Sequence, residues 1–179
     1  MFLKILFLVL LSGVFFHPYA HAEKALALIK GTEEGSTVDG IVQLEVNDET
    51  LDVSANFKGV PPGKHGFHIH EKGDCSDQGK AAGGHYNPRS VDHGFYPKDG
   101  MEHSHLGDMG NVEIAEDGTG TIEIALTDVH LSGDKNNVSG LSVILHEKED
   151  DFGQPTGNAG GRIGCGIIEP VMNVSTENP

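Results

Sequence analysis

The stretch GFHIHEKGDC, residues 66–75, places two histidines at alternate positions of an apolar run, with a cysteine five residues after the second. Alternate side chains of a β-strand point to the same face. His68 and His70 would therefore stand side by side, with Phe67 and Ile69 facing the other way. The apolar face predicts that the strand covers a hydrophobic core. Two imidazoles on the opposite face either leave that face without apolar burial or bind something.

A period of two recurs along the chain and predicts an all-β fold. Besides the strand containing GFHIHE, the pattern marks seven short candidate strands, at residues 24–30, 38–46, 51–57, 111–115, 121–126, 140–147 and 162–169. The segment EDGTG, between two of these runs, is typical of a hairpin turn. No segment has a convincing helical period, so the eight strands predict an antiparallel sandwich or barrel.

Two segments without a strand pattern are rich in glycine: residues 72–110 and residues 148–161. Long loops inside a compact domain are uncommon unless they are functional or held in place. A disulfide at the start of the first loop and a metal ion within it would both offset the entropy lost when it is ordered.

The first 22 residues have the pattern of a secretory signal peptide. A single lysine precedes an apolar run, and Ala20-His21-Ala22 resembles a cleavage site. We expect cleavage after Ala22 and one domain over residues 23–179. The rival interpretation is an uncleaved anchor, but the apolar run over residues 5–16 is short for a membrane span. After export we expect a periplasmic location, with the extracellular space as the alternative.

Charge and cysteine content narrow the function further. The formal net charge of −15 argues against nucleic acid and anionic membranes as partners. Cys75 and Cys165 are the only cysteines. In an oxidising compartment such a pair predicts one disulfide, and two buried free thiols are the alternative.

One group of candidate metal ligands lies in the first long loop. His85, His93 and His105 fall within it, and Asp108 follows three residues after the last of them. Three imidazoles and a carboxylate suit a closed tetrahedral zinc site. Such a site would bind the loop to itself and contribute to folding.

A second group of histidines lies on predicted strands. His68 and His70 share one strand face, and His146 ends the strand GLSVILH. Imidazole nitrogens suit Cu(II), which favours tetragonal geometry. Zinc remains an alternative for these three residues, because residue type alone does not separate the two metals.

Five ordered motifs carry a family resemblance: GFHIHEKGDC, GGHYNPRSVDHGF, HLGD, LHEKEDDFG and GNAGGRIGCG, spread over residues 66–166. With them, the chain resembles the copper/zinc superoxide dismutases, closest to the secreted or periplasmic bacterial type. The second loop is shorter than the eukaryotic pattern of this family, which together with the short signal favours the bacterial type. The resemblance implies an eight-stranded antiparallel Greek-key β-sandwich or barrel with two long functional loops. It also implies copper and zinc as cofactors.

The resemblance assigns a role to each candidate. His85 matches the histidine that bridges both metals, Asp150 the carboxylate that contacts a copper and a zinc ligand, and Arg162 the arginine beside the open copper face. Cys75 and Cys165 match the family disulfide. The implied copper ligands are His68, His70, His85 and His146, and the implied zinc ligands are His85, His93, His105 and Asp108.

The implied reaction converts two superoxide anions into dioxygen and hydrogen peroxide as copper cycles between Cu(II) and Cu(I). His85 and Arg162 are the implied catalytic residues, the first carrying a proton and the second attracting the anion. The alternative is a non-enzymatic copper/zinc-binding or delivery protein on the same fold. We expect no nucleic-acid partner and no membrane contact after signal cleavage. The family contains dimers and monomers, so a homodimer is left open.

Overall fold

Residues 24–171 form an antiparallel barrel in the computed structural model. The predicted signal peptide lies outside these described residues. Eight principal strands and one two-residue strand make the sheet: β1 Lys24–Gly31, β2 Asp39–Asn47, β3 Thr50–Lys58, β4 Gly63–His70, β5 Asp108–Ile114, β6 Gly120–Thr127, β7 Ser142–His146, β8 Arg162–Ile167 and β9 Glu169–Pro170.

The strands follow the order β1-β2-β3-β6-β5-β4-β7-β8, and β8 pairs with β1 to close the barrel. The β3–β4 and β6–β7 connections each pass over two intervening strands, which is Greek-key connectivity. Closure removes the exposed strand edges that would otherwise pair with other chains. All eight predicted strands are present, and the all-β prediction is confirmed.

Side chains alternate between the two faces of β4, so the hydrophobic core and the histidines lie on opposite faces of this strand. In β4, Phe67 and Ile69 are fully buried in the hydrophobic core. His68 and His70, at the positions between and after them, lie on the other face of the strand. They are buried as well, because the long loops cover the outside of the barrel there.

Strand β5 begins three residues before its predicted start, so Asp108 belongs to a strand and not to the loop. The reason is pairing with the neighbouring strand. The ladder between β4 and β5 runs from Gly63 opposite Ile114 to His68 opposite Asp108, with a bulge between Gly66 and His68. The long loop thus ends directly beside the histidine strand.

The first long loop contains two short helices, a 3₁₀ turn at Lys80–Ala82 and α1 at Tyr96–Asp99. The Cys75–Cys165 disulfide ties its start to β8. The predicted bridge is confirmed, and the alternative of two free thiols is wrong. Further along, the backbone of Ile69 in β4 bonds to Gly107 O at 2.9 Å and to Tyr86 N at 2.8 Å. Within residues 24–171, no helix is long and apolar enough to span a membrane.

Candidate metal centre

The outer face of the barrel brings three strand histidines together. His68 and His70 come from β4, and His146 ends the adjacent strand β7. The ring nitrogens His70 Nε2 and His146 Nε2 are 3.3 Å apart. A register shift in the β7–β8 ladder lies between Leu145 and His146. Bulges of this kind re-aim side chains beside functional sites.

A second group surrounds the carboxylate of Asp108. His85 Nδ1 lies 2.8 Å and His105 Nδ1 3.1 Å from Asp108 Oδ1, and His93 Nδ1 lies 2.8 Å from Asp108 Oδ2. The backbone N–H groups of Gly94 and His105 also donate to Oδ2. One buried carboxylate therefore gathers three imidazoles from different parts of the long loop.

His85 belongs to both groups. In each group, one ligand atom from every residue lies within 4.8 Å of those from the others, and all the residues are buried. The Nδ1 atom of His85 faces Asp108, which leaves Nε2 for the strand histidines. The sequence-predicted residues are thus brought together as two adjoining sets: His68, His70, His85 and His146, and His85, His93, His105 and Asp108.

The ring nitrogens that point away from these sets have acceptors of their own. His68 Nε2 is 2.7 Å from Asp150 Oδ2, and His93 Nε2 is 3.0 Å from both oxygens of the same carboxylate. His70 Nδ1 donates to the carbonyl of Gly83 at 3.0 Å. Such outer contacts fix the tautomer and orientation of a metal-binding imidazole. Asp150 accordingly links one histidine of each set, as the resemblance implies.

Two buried nitrogens support a fit to metal ions. His68 Nδ1 and His93 Nδ1 have no hydrogen-bond partner among the described residues. The latter is close to Asp108 but lacks hydrogen-bond geometry. Buried polar atoms without a partner are costly. Each faces a set of ligand-type atoms, so a cation bound there would satisfy it. Imidazole-only donors suit copper, and the His₃Asp set suits zinc.

Protonation preferences differ among the histidines of the site. Burial, reinforced by neighbouring imidazoles, lowers the pKa of His146 to about 3. Burial also lowers the pKa of His70, and it lowers that of His85 to about 4 despite the nearby Asp108 carboxylate. These imidazoles are therefore neutral at neutral pH, which is the form that ligates metals.

The two carboxylates are ionised. Burial opposes their ionisation, but hydrogen bonds from histidines outweigh it and hold the pKa of Asp108 and of Asp150 well below the usual range. Burial likewise disfavours the charged form of His93, yet the two carboxylates raise the pKa of His93 to about 9. The two carboxylates therefore favour positive charge at this position.

Arg162 lies opposite His146 across the β7–β8 ladder. Its guanidinium is half-buried and donates to the carbonyl oxygens of Gly79 and Gly83, in the loop segment that follows Cys75. It lines a cleft of about 430 Å³ together with residues of both charge signs, among them Lys80 and Glu147. The loop that begins at the disulfide thus holds the arginine beside the strand position of His146.

The structure also shows two amide side chains that sequence reasoning missed. Asn111 Oδ1 accepts from Asp150 N at 2.7 Å, and its Nδ2 donates to Asp150 O at 2.9 Å. Gln154 makes the same two contacts with the backbone of His93. Neither residue stands in a pattern that marks it, because an amide that bonds to backbone has no fixed spacing from its partner.

Comparison with known proteins agrees with this geometry. The family model described as copper/zinc superoxide dismutase matches residues 38–168. The chain belongs to the copper/zinc superoxide dismutase family. It is 42% identical over 153 residues to superoxide dismutase [Cu-Zn] 5 of Dictyostelium discoideum, covering 80% of this chain and 95% of that protein. It is 41% identical over 160 residues to the extracellular superoxide dismutase [Cu-Zn] of Drosophila melanogaster, covering 81% and 84%.

A solved structure supports the same fold. The crystal structure of the clock protein EA4 matches with a TM-score of 0.76 at 38% identity, over 87% of this chain and 99% of that one. Together with the relatives, the family membership makes this chain a superoxide dismutase with copper and zinc as cofactors. The bacterial subtype suggested by the short second loop stays a prediction.

Proposed function

We propose that the chain disproportionates superoxide by cycling copper between Cu(II) and Cu(I), while zinc orders the loop that covers the site. The observation that carries the proposal is the position of His85, which is shared by an imidazole-only set and a His₃Asp set. A single imidazole between two such sets is suited to link a redox metal to a structural one. The delivery-protein alternative does not require this link.

In this proposal, copper is held by His68, His70, His85 and His146, and zinc by His85, His93, His105 and Asp108. Copper supplies the one-electron exchange that zinc, with no accessible redox change, does not. Asp150 holds the outer nitrogens of His68 and His93, so each ring presents its Nδ1 atom to its own set. This arrangement couples the orientation of the two sets.

His85 and Arg162 have separate proposed roles in the reaction. When its Nε2 atom is not bound to copper, His85 would take up a proton there and deliver it to the reduced product, while its Nδ1 atom stays beside Asp108. Arg162 attracts and orients the superoxide anion with its fixed positive charge. Local attraction is needed because the formal net charge of the chain is −15.

The Arg162→Gln variant tests local attraction. We expect kcat/KM to fall about tenfold at low ionic strength, the effect of losing roughly 1.4 kcal/mol of transition-state stabilisation. The wild-type rate should fall as salt is added, and that of the variant should change less. Arg89→Gln is the matched control, since Arg89 is exposed and pairs with Glu102. Equal rates and equal salt slopes for wild type and Arg162→Gln would contradict the role.

Selective metal loading tests the proposed function as a whole. The mature protein is stripped and reloaded with zinc alone, with copper alone, or with both, and metal content and superoxide dismutation are measured. Zinc alone should give no activity, and both metals should give full activity with one of each ion bound. Full loading with both metals and no activity would favour the metal-binding or delivery alternative.

Export supplies the setting for this activity. We propose that residues 1–22 are removed and that residues 23–179 act outside the cytoplasm. Two observations support this: extracellular relatives in Drosophila melanogaster and Brugia pahangi, and the Cys75–Cys165 disulfide. Intact-mass measurement of protein exported by a cell should give a chain that begins at Glu23. Retention of Met1 would contradict the proposal.

A homodimer fits one face of the barrel. Leu28 is 59% exposed on β1, and its cross-strand partner Ile41 on β2 is 43% exposed. The charged residues beside them pair with each other, including Lys24 with Glu45 at 2.8 Å. The charges around this apolar face are paired with each other, so two acidic copies of the chain would repel each other least if they met through this face. Sedimentation equilibrium should show a dimer that Leu28→Glu dissociates, and a monomeric wild type would contradict it.

A further inference from the structure

We propose that Gln154 is a positioning residue for zinc, acting through the backbone of His93. The inference rests on the proposed function, in which His93 is a zinc ligand. It adds a residue from the second long loop that belongs to neither metal set.

The contact is reciprocal. Gln154 Nε2 donates to His93 O at 2.9 Å, and His93 N donates to Gln154 Oε1 at 3.0 Å. The side-chain amide thus pairs with both polar backbone groups of one residue, as a neighbouring strand would. Because both bonds end on the same residue, they restrain the rotation as well as the position of its backbone.

The backbone of His93 needs such restraint because both nitrogens of its ring contact carboxylates. Its Nδ1 atom lies 2.8 Å from Asp108 and its Nε2 atom 3.0 Å from Asp150. The two carboxylates are on opposite sides of the ring, so a small backbone shift would lengthen at least one of these contacts. Metal sites tolerate ligand displacements of only about 0.5 Å.

The turn that carries Gln154 is held by its own backbone hydrogen bonds. Within it, Asp151 N donates to Gly157 O at 2.9 Å, and Gly157 N donates to Gly153 O at 2.6 Å. A Cβ atom on Gly157 would lie 1.8 Å from Asp150 Oδ1, so the turn closes tightly over that carboxylate. Gln154 therefore reaches His93 from a turn whose own backbone is bonded internally.

The two amides form a matching pair. Asn111, on the barrel, fixes the backbone of Asp150, and Gln154, on the turn after Asp150, fixes the backbone of His93. The Asp150–His93 contact is thus held at both ends. Because Gln154 itself is exposed, its amide contributes through these two bonds and not through core packing.

The Gln154→Met variant tests the inference, because methionine has a similar length and lacks the amide. Zinc-loaded wild type, Gln154→Met and the control Gln43→Met, altered at an exposed position of β2, are each titrated with a zinc chelator. Cobalt(II) spectra are recorded after it replaces zinc. We expect about tenfold weaker zinc binding in Gln154→Met, at the lower end of the effect of outer ligand contacts. Its cobalt absorption bands should also shift, whereas Gln43→Met should match wild type.

The outcomes separate two kinds of failure. Tight zinc binding by the wild type, with the same affinity and cobalt spectrum in Gln154→Met, would overturn this inference alone. Wild-type protein that binds no zinc would overturn the proposed function and the inference with it. A changed affinity with an unchanged cobalt spectrum would also count against positioning, because it would indicate a general loss of loop stability.

Discussion

Replacing His146 with alanine should lower superoxide dismutation by protein supplied with copper and zinc by more than about 100-fold. Outer contacts of metal ligands cost about 10- to 100-fold when removed, and a direct ligand should cost more. His146 Nε2 lies 3.3 Å from His70 Nε2. The change therefore removes one of the four imidazoles of the copper set and leaves its neighbour His70 in place. Copper content and pulse-radiolysis rates are measured on the same samples.

The effect should be specific to the copper set. Zinc content should remain near one per chain, because His146 is absent from the set around Asp108. His130→Ala, altered at an exposed histidine outside both sets, is the control and should keep full activity. Activity retained in His146→Ala would be compatible with a superoxide dismutase but would show that the copper site is misassigned.

Removing the disulfide should have the largest effect on stability. The Cys75–Cys165 bond closes a loop with a sequence separation of 90. Chain entropy gives it a stabilisation of roughly 4–5 kcal/mol, a large share of the roughly 5–15 kcal/mol by which domains are stable. The double variant Cys75→Ser/Cys165→Ser should lose about that much in urea unfolding. Reduced wild type is the control, since it lacks the bond but keeps both sulfur atoms.

The same variant should also lose activity at temperatures where it remains folded. The segment after Cys75 supplies the carbonyls of Gly79 and Gly83 that hold Arg162, and Gly83 O also accepts from His70. Without the bridge, both contacts depend on a longer free loop. A loss of less than about 1 kcal/mol, with full activity, would show that other contacts hold this segment.

The barrel and the gathering of the site residues were predictable from sequence for a physical reason. Strands with one buried face repeat with a period of two, and metal ligands are limited to a few residue types. His68 and His70 satisfy both rules at once. The start of β5 was placed too late because Asp108 pairs with His68 across a bulge, and such pairing leaves no local pattern.

Contacts between side chains and backbone atoms could not be predicted from the sequence. The acceptors of His70 and Arg162 are carbonyl groups, which every residue carries. Gln154 and Asn111 act on backbone that is far away along the chain. Only the folded arrangement of the two long loops shows these partners, and they decide how firmly each imidazole is held.

X-ray diffraction from metal-loaded crystals, recorded on both sides of the copper and zinc absorption edges, tests the central claim most directly. The account predicts copper bound by His68 Nδ1, His70 Nε2 and His146 Nε2, and zinc by His93 Nδ1, His105 Nδ1 and Asp108, with His85 beside both. Anomalous signal from both metals in one set, or from copper at any other place, would contradict it.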